Sequence, residues 1–125
     1  MKPGSVLVFD HAIFHGASDP VFSVLDTVDW VDTLTANDPE ADEFMRFYIV
    51  PGMPHGPGGI APDRFDMLTA LVGWVEEGTA PGPIDATLRP DRDGMPEDLA
   101  GQTRPLCPYP QIAQAQDDSF ACAVP

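Results

Sequence analysis

Two short runs rich in β-branched and aromatic residues each stop at a Gly/Pro-containing loop, and each loop is followed by helical periodicity; this order limits the fold more than any other feature of the chain. In the first half "SVLVF" and "AIF" flank Asp10-His11, and either or both read as a buried strand ending at the loop "HGASDP". Ser23 then sits where a side chain caps free N–H groups, with Asp26 in the first turn of a helix expected to run to about Leu34. In the second half "FMRFYIV" reads as a strand stopped by Pro51-Gly52. The stretch "DRFDMLTALVGWVEEG" follows as a helix, with Asp63 as its expected cap, an apolar stripe of Phe65, Leu68, Val72 and Val75, and Gly78 as terminator. Strand, loop, helix, taken twice, gives βαβα and hence a parallel sheet. Such a sheet needs helices on both faces, and two helices are too few to cover it. The expected fold is therefore α/β, as the end of a larger domain rather than a whole one. Beyond "TAPGP", the segment "IDATLRP" reads as extended, and 101–125 reads as an irregular, Pro-rich tail.

Composition narrows the partners. A chain of 125 residues has room for one core. Its formal net charge of -14, with only six scattered Lys and Arg, disfavours nucleic acid and anionic membrane surfaces. No apolar run approaches the roughly 20 residues of a spanning helix, and "MKPGSVLVFD" breaks at Asp10 before a signal-like apolar core develops. Cys107 and Cys122 lie in the Pro-rich tail. The residues alone leave a disulfide and a pair of free thiols both open.

Ligands of open α/β sheets sit beyond the carboxyl ends of the strands. The loops at that edge carry Asp19, in "FHGASDPVFS", and His55, in "VPGMPHGPGG". Together they form a candidate carboxylate–imidazole pair, Asp19 orienting the ring and His55 moving a proton. Asp before His matches the order of the α/β-hydrolases, where the nucleophilic serine comes earlier than both. Ser5, Ser18, Ser23 and Ser119 all lack the glycine-flanked elbow such a serine occupies.

Other candidates are weaker. His11 and His15 have i, i+4 spacing, but their segment reads as strand and no Glu follows His11 as the helical zinc motif requires. His15 reads instead as a brace for the loop bearing Asp19. Asp26, Asp29 and Asp32 recur along one helix side, where a solvated face is the preferred reading and calcium the alternative. Trp30 and Trp74 read as core or interface residues.

Four motifs, "HGASDPVFS", "VPGMPHG", "DRFDMLTALVGWVEEGTAP" and "QTRPLCPYPQIA", resemble in order the C-terminal part of the tannase and feruloyl esterase family, from about His15 to Cys122. The resemblance implies an α/β-hydrolase that cleaves aromatic and phenolic esters with a Ser-Asp-His triad. Asp19 and His55 fall at the Asp and His positions, and Cys107 and Cys122 at a pair the family joins as a disulfide. No cofactor is expected in this chain; the family's calcium site lies in a lid domain that these 125 residues do not contain. The parent family is secreted or periplasmic. One departure is Gly56, where the family usually has a cysteine bonded to another beside the nucleophile. The expectation is thus one partial hydrolase domain over 1–125, with the strand and helix units at about 15–100 and the tail at 101–125. It supplies Asp and His to a serine carried by a complementary segment. A non-catalytic binding module, or one half of a split hydrolase, is the alternative.

Overall fold

A computed structural model describes residues 9–125. Most of "SVLVF" lies outside them. The described chain opens with β1 (His11–Gly16), crosses over through α1 (Val24–Asn37), and returns as β2 (Met45–Val50). β1 and β2 pair in parallel from His11 opposite Met45 to Gly16 opposite Val50, so the expected βαβ unit forms. Ser23 caps α1 by accepting from the Leu25 N–H at 3.2 Å. The helix ends one turn later than Leu34, where the Asp38 N–H closes onto the Leu34 carbonyl at 2.8 Å.

β2 is the centre of the molecule, and its unbroken apolar run has a physical reason: both faces are covered. On one face Phe47 and Met45 pack with Val31 of α1, and on the other Tyr48 and Val50 pack with Met53, Ala61, Ala86 and Leu106. The Tyr48 hydroxyl donates to the Gly82 carbonyl at 2.9 Å. Burial pushes its pKa up to about 12, against the opposing pull of Arg46.

The remaining strands are antiparallel. β3 (Ile84–Thr87) pairs with β4 (Thr103–Leu106), and β5 (Ile112–Gln116) pairs with β6 (Ser119–Ala123). The sheet is thus only partly parallel, and the tail is not irregular as its prolines suggest. Pro105 is tolerated because β4 has a partner on one side only within its ladder. Asp117-Asp118 form a two-residue hairpin turn, with Asp117 in the left-handed region at φ 46°, which Asp tolerates better than most residues. A disulfide joins Cys107 to Cys122 across 5.6 Å between Cα atoms. It ties this hairpin to the segment that runs along the free edge of β2, where the Tyr109 N–H donates to the Phe47 carbonyl at 2.7 Å.

The expected cap of the second helix is corrected. α2 spans Met67–Glu77 and its cap is Asp66, accepting from the Thr69 N–H at 2.9 Å, not Asp63. The backbone before it cannot enter a helix because Arg64 exchanges two hydrogen bonds with Thr87, at 3.3 and 2.9 Å. Asp63 is instead buried, accepting from Arg89 Nε at 3.1 Å and from Arg92 Nη2. The apolar stripe, read as core in an intact hydrolase and as a sticky surface in a fragment, is largely exposed: Leu68 is 71% and Val75 61% exposed, Trp74 is the buried residue of α2, and Phe65 packs against the core. Gly78 does terminate the helix, at φ 72°.

Candidate active site

The carboxyl ends of β1 and β2 lead into the two loops that carry Asp19 and His55, and parallel pairing sets those loops side by side. Gly16 makes their contact close. A Cβ there would overlap the carbonyl oxygens of Met53 and Pro54, so only glycine lets the first loop lie against the second. The Ala17 N–H donates to the Val50 carbonyl at 2.9 Å and the Ser18 N–H to the Met53 carbonyl at 3.0 Å, joining the loops by their backbones. The turn at Pro51-Gly52, with Gly52 at φ 72°, then redirects the chain toward His55.

Asp19 and His55 meet: Nδ1 of His55 lies 2.9 Å from Oδ2 of Asp19. The other carboxylate oxygen, Oδ1, accepts from the Val21 N–H at 2.8 Å and the Phe22 N–H at 3.0 Å. Burial opposes ionisation of Asp19, but the hydrogen bonds from Phe22, His55 and Val21 together outweigh it and hold the carboxyl well below the usual carboxylate range. Asp19 is therefore an anion at neutral pH, and an anionic acceptor requires His55 to donate from Nδ1. The Nε2 lone pair of the neutral ring is left available for a proton. The Asp19 side chain is 5% exposed and the His55 side chain 57%, so the carboxylate is sheltered while the imidazole is accessible.

The pair opens on a cleft of about 450 Å³ bounded by Phe14, Phe22, Trp30 and Met53. Phe22 places its ring centroid 5.4 Å from that of His55. Trp30, read from sequence as core or interface, is an exposed wall of this cleft. Its lining is largely apolar and partly aromatic, as in many sites for small organic molecules.

The other sequence candidates fall elsewhere. His11 is exposed at the start of β1, and among the described residues no group of three or more His, Cys, Asp or Glu is placed to hold a metal. Asp26, Asp29 and Asp32 lie on an exposed side of α1. His15, expected as a brace, touches Asp19 directly, its Nε2 3.2 Å from Oδ2. Sequence reasoning passed over Gly16, Phe22 and Thr27. A glycine ending an apolar strand beside a candidate acid signals close backbone approach, but the other two carry no local signal.

The fold is shared with solved esterases. An esterase from Aspergillus oryzae superposes with a TM-score of 0.72 at 24% identity over 91% of this chain and 27% of its own. A tannin acyl hydrolase from Aspergillus niger gives 0.71 at 23% identity, over 93% and 23%. The sequence is also similar to mono(2-hydroxyethyl) terephthalate hydrolase of Piscinibacter sakaiensis, 48% identical over 90% of this chain and 19% of that protein. It is 32% identical to a probable feruloyl esterase of Arthroderma benhamiae, over 88% of this chain and 22% of that one. In fold and sequence the chain is thus similar to one part of each of these ester hydrolases. Residues 11–124 match the family model for tannase and feruloyl esterase, and the chain belongs to that family. It spans about a fifth of the length of the curated relatives cited above.

Proposed function

We propose that these residues are the C-terminal part of an α/β-hydrolase that cleaves esters of aromatic acids through a Ser-Asp-His triad, with Asp19 and His55 as its acid and base. The observation that carries this reading is the 2.9 Å bond from His55 Nδ1 to a buried carboxylate, with the His55 side chain itself 57% exposed on the lining of the cleft. The nucleophilic serine comes from a complementary segment. Among the described serines, Ser23 accepts from the Leu25 N–H as the cap of α1, and neither Ser18 nor Ser119 stands on a strand-to-helix elbow. The exposed Leu68, Val72 and Val75 of α2 are the face on which such a segment would pack.

In this reaction His55 Nε2 takes the serine proton as the hydroxyl oxygen attacks the ester carbonyl, and Asp19 stabilises the resulting imidazolium. The proton then passes to the leaving alkoxide. Water, deprotonated by the same nitrogen, releases the acid and restores the serine. The acyl group is aromatic because Phe22 packs beside the imidazole and Trp30 lines the same cleft, and two relatives are named as a mono(2-hydroxyethyl) terephthalate hydrolase and a probable feruloyl esterase.

The test assays methyl ferulate, methyl gallate and a terephthalate monoester with the chain alone and with the segment encoded upstream, alongside labelling by a serine-reactive phosphonate. Activity and labelling are expected only in the assembled enzyme, with activity lost in His55→Ala. Turnover by the 125-residue chain alone, or an assembled enzyme indifferent to His55→Ala, would overturn the proposal.

A further inference from the structure

The geometry points to His15 as a positioning residue for the Asp19–His55 pair, held in a single tautomer by Thr27 and itself holding Phe22 in place; this rests on the catalytic reading of that pair. Nε2 of His15 lies 3.2 Å from Oδ2 of Asp19 and 3.1 Å from the Phe22 carbonyl oxygen. Both are acceptors, so Nε2 must carry a hydrogen. Nδ1 lies 2.8 Å from Thr27 Oγ1, whose hydroxyl donates to it in the neutral ring. The tautomer opposite to that of His55 is therefore fixed by its surroundings.

Three hydrogen bonds hold the carboxylate, two from backbone N–H groups to Oδ1 and one from His55 Nδ1–H to Oδ2, and His15 Nε2 adds a close electrostatic contact 3.2 Å from Oδ2. Asp19 cannot turn without breaking two or more of these bonds. His55, whose ring is largely exposed, takes its orientation from Asp19 and so indirectly from His15. Thr27 stands on α1, so the position of the helix is transmitted through one hydroxyl to the pair. The Nε2–H of His15 donates to the Phe22 carbonyl, and Phe22 in turn donates its N–H to Asp19 Oδ1 and presents its ring to His55.

The experiment records long-range ¹H–¹⁵N spectra of the histidine rings in the full chain labelled with ¹⁵N, for the wild type and for Thr27→Val, Thr27→Ser and His15→Gln. In the wild type, His15 should show an Nε2–H tautomer and His55 a protected Nδ1–H. In Thr27→Val the single tautomer pattern of His15 should be lost. The His55 Nδ1–H should then exchange about fivefold faster, the effect of roughly one net hydrogen bond. Thr27→Ser should restore both, and His15→Gln should reproduce the faster exchange. An unchanged His55 Nδ1–H in Thr27→Val and His15→Gln, or an Nδ1–H tautomer for wild-type His15, would overturn the inference alone. Absence of the His55 Nδ1–H in the wild type would overturn the catalytic pair itself. Should His15→Gln fail to fold, Thr27→Val decides, since it keeps the side-chain volume.

Discussion

Replacing Gly16 with alanine tests whether the two loops are held together by a close backbone approach. The added Cβ falls on the carbonyl oxygens of Met53 and Pro54, which are backbone atoms and cannot swing aside as a flexible side chain would. The loops must part, which strains the junction by about 1–3 kcal/mol, as overpacking does. Parting also weakens the bonds from Ala17 N to Val50 O and from Ser18 N to Met53 O, worth about 1 kcal/mol each. Alanine restricts the unfolded chain and returns about 0.5 kcal/mol. The net loss is about 3 kcal/mol, or about 12 °C in Tm for a domain of this size. Gly56→Ala is the control, because a Cβ at Gly56 meets nothing within 4 Å although it adjoins His55. Thermal unfolding followed by circular dichroism compares the two, and the His55 Nδ1–H resonance reports the pair. Gly16→Ala should lower Tm and erase the resonance, whereas Gly56→Ala should raise Tm by about 2 °C and keep the resonance. Equal melting temperatures for the two variants, with the resonance intact in both, would refute the reasoning.

Tyr48→Phe removes the donor to the Gly82 carbonyl and should cost about 1 kcal/mol by chemical denaturation. Because the folded chain holds the neutral phenol, with its pKa raised from 10.0 to about 12, Tyr48 stabilises the fold fully below pH 10, and that contribution should vanish as pH rises toward about 12. Asp66→Ala should lower Tm at neutral pH by uncapping α2. Hydrogen bonds from the Thr69 hydroxyl and N–H hold the Asp66 carboxyl below its usual value, so the difference from wild type should shrink as pH falls below the ordinary carboxylate range. A Cys107→Ala/Cys122→Ala double variant loses the closure of a 15-residue separation and should be about 3 kcal/mol less stable in the chain-entropy model, which urea unfolding measures.

Much of the site was legible in the chain because its logic is local or topological. A β-branched run must be buried, a Gly/Pro loop must end it, and a helix after it forces a parallel return. That alone sets Asp19 and His55 at one sheet edge. Ser23 and Gly78 announced helix ends through their own backbone chemistry. The prolines of the tail misled because they remove donors without forbidding strands that pair on one side only. Asp63 misled because its position before a helical pattern resembles a cap, whereas Arg89 and Arg92, 26 and 29 residues onward, claim its carboxylate.

The sequence by itself determined the parallel βαβ unit, the two helices and the placement of Asp19 and His55 at one sheet edge, since periodicity and breaker residues act over a few positions. Only the tertiary structure decided that Asp66 rather than Asp63 caps α2, that Phe22 and His15 lie against the Asp19 carboxylate, and that Thr27 stands behind His15. Those outcomes depend on contacts between residues brought together by packing. Hydrogen-bond geometry at 3 Å is set by the meeting of elements, which no spacing along one strand or helix encodes.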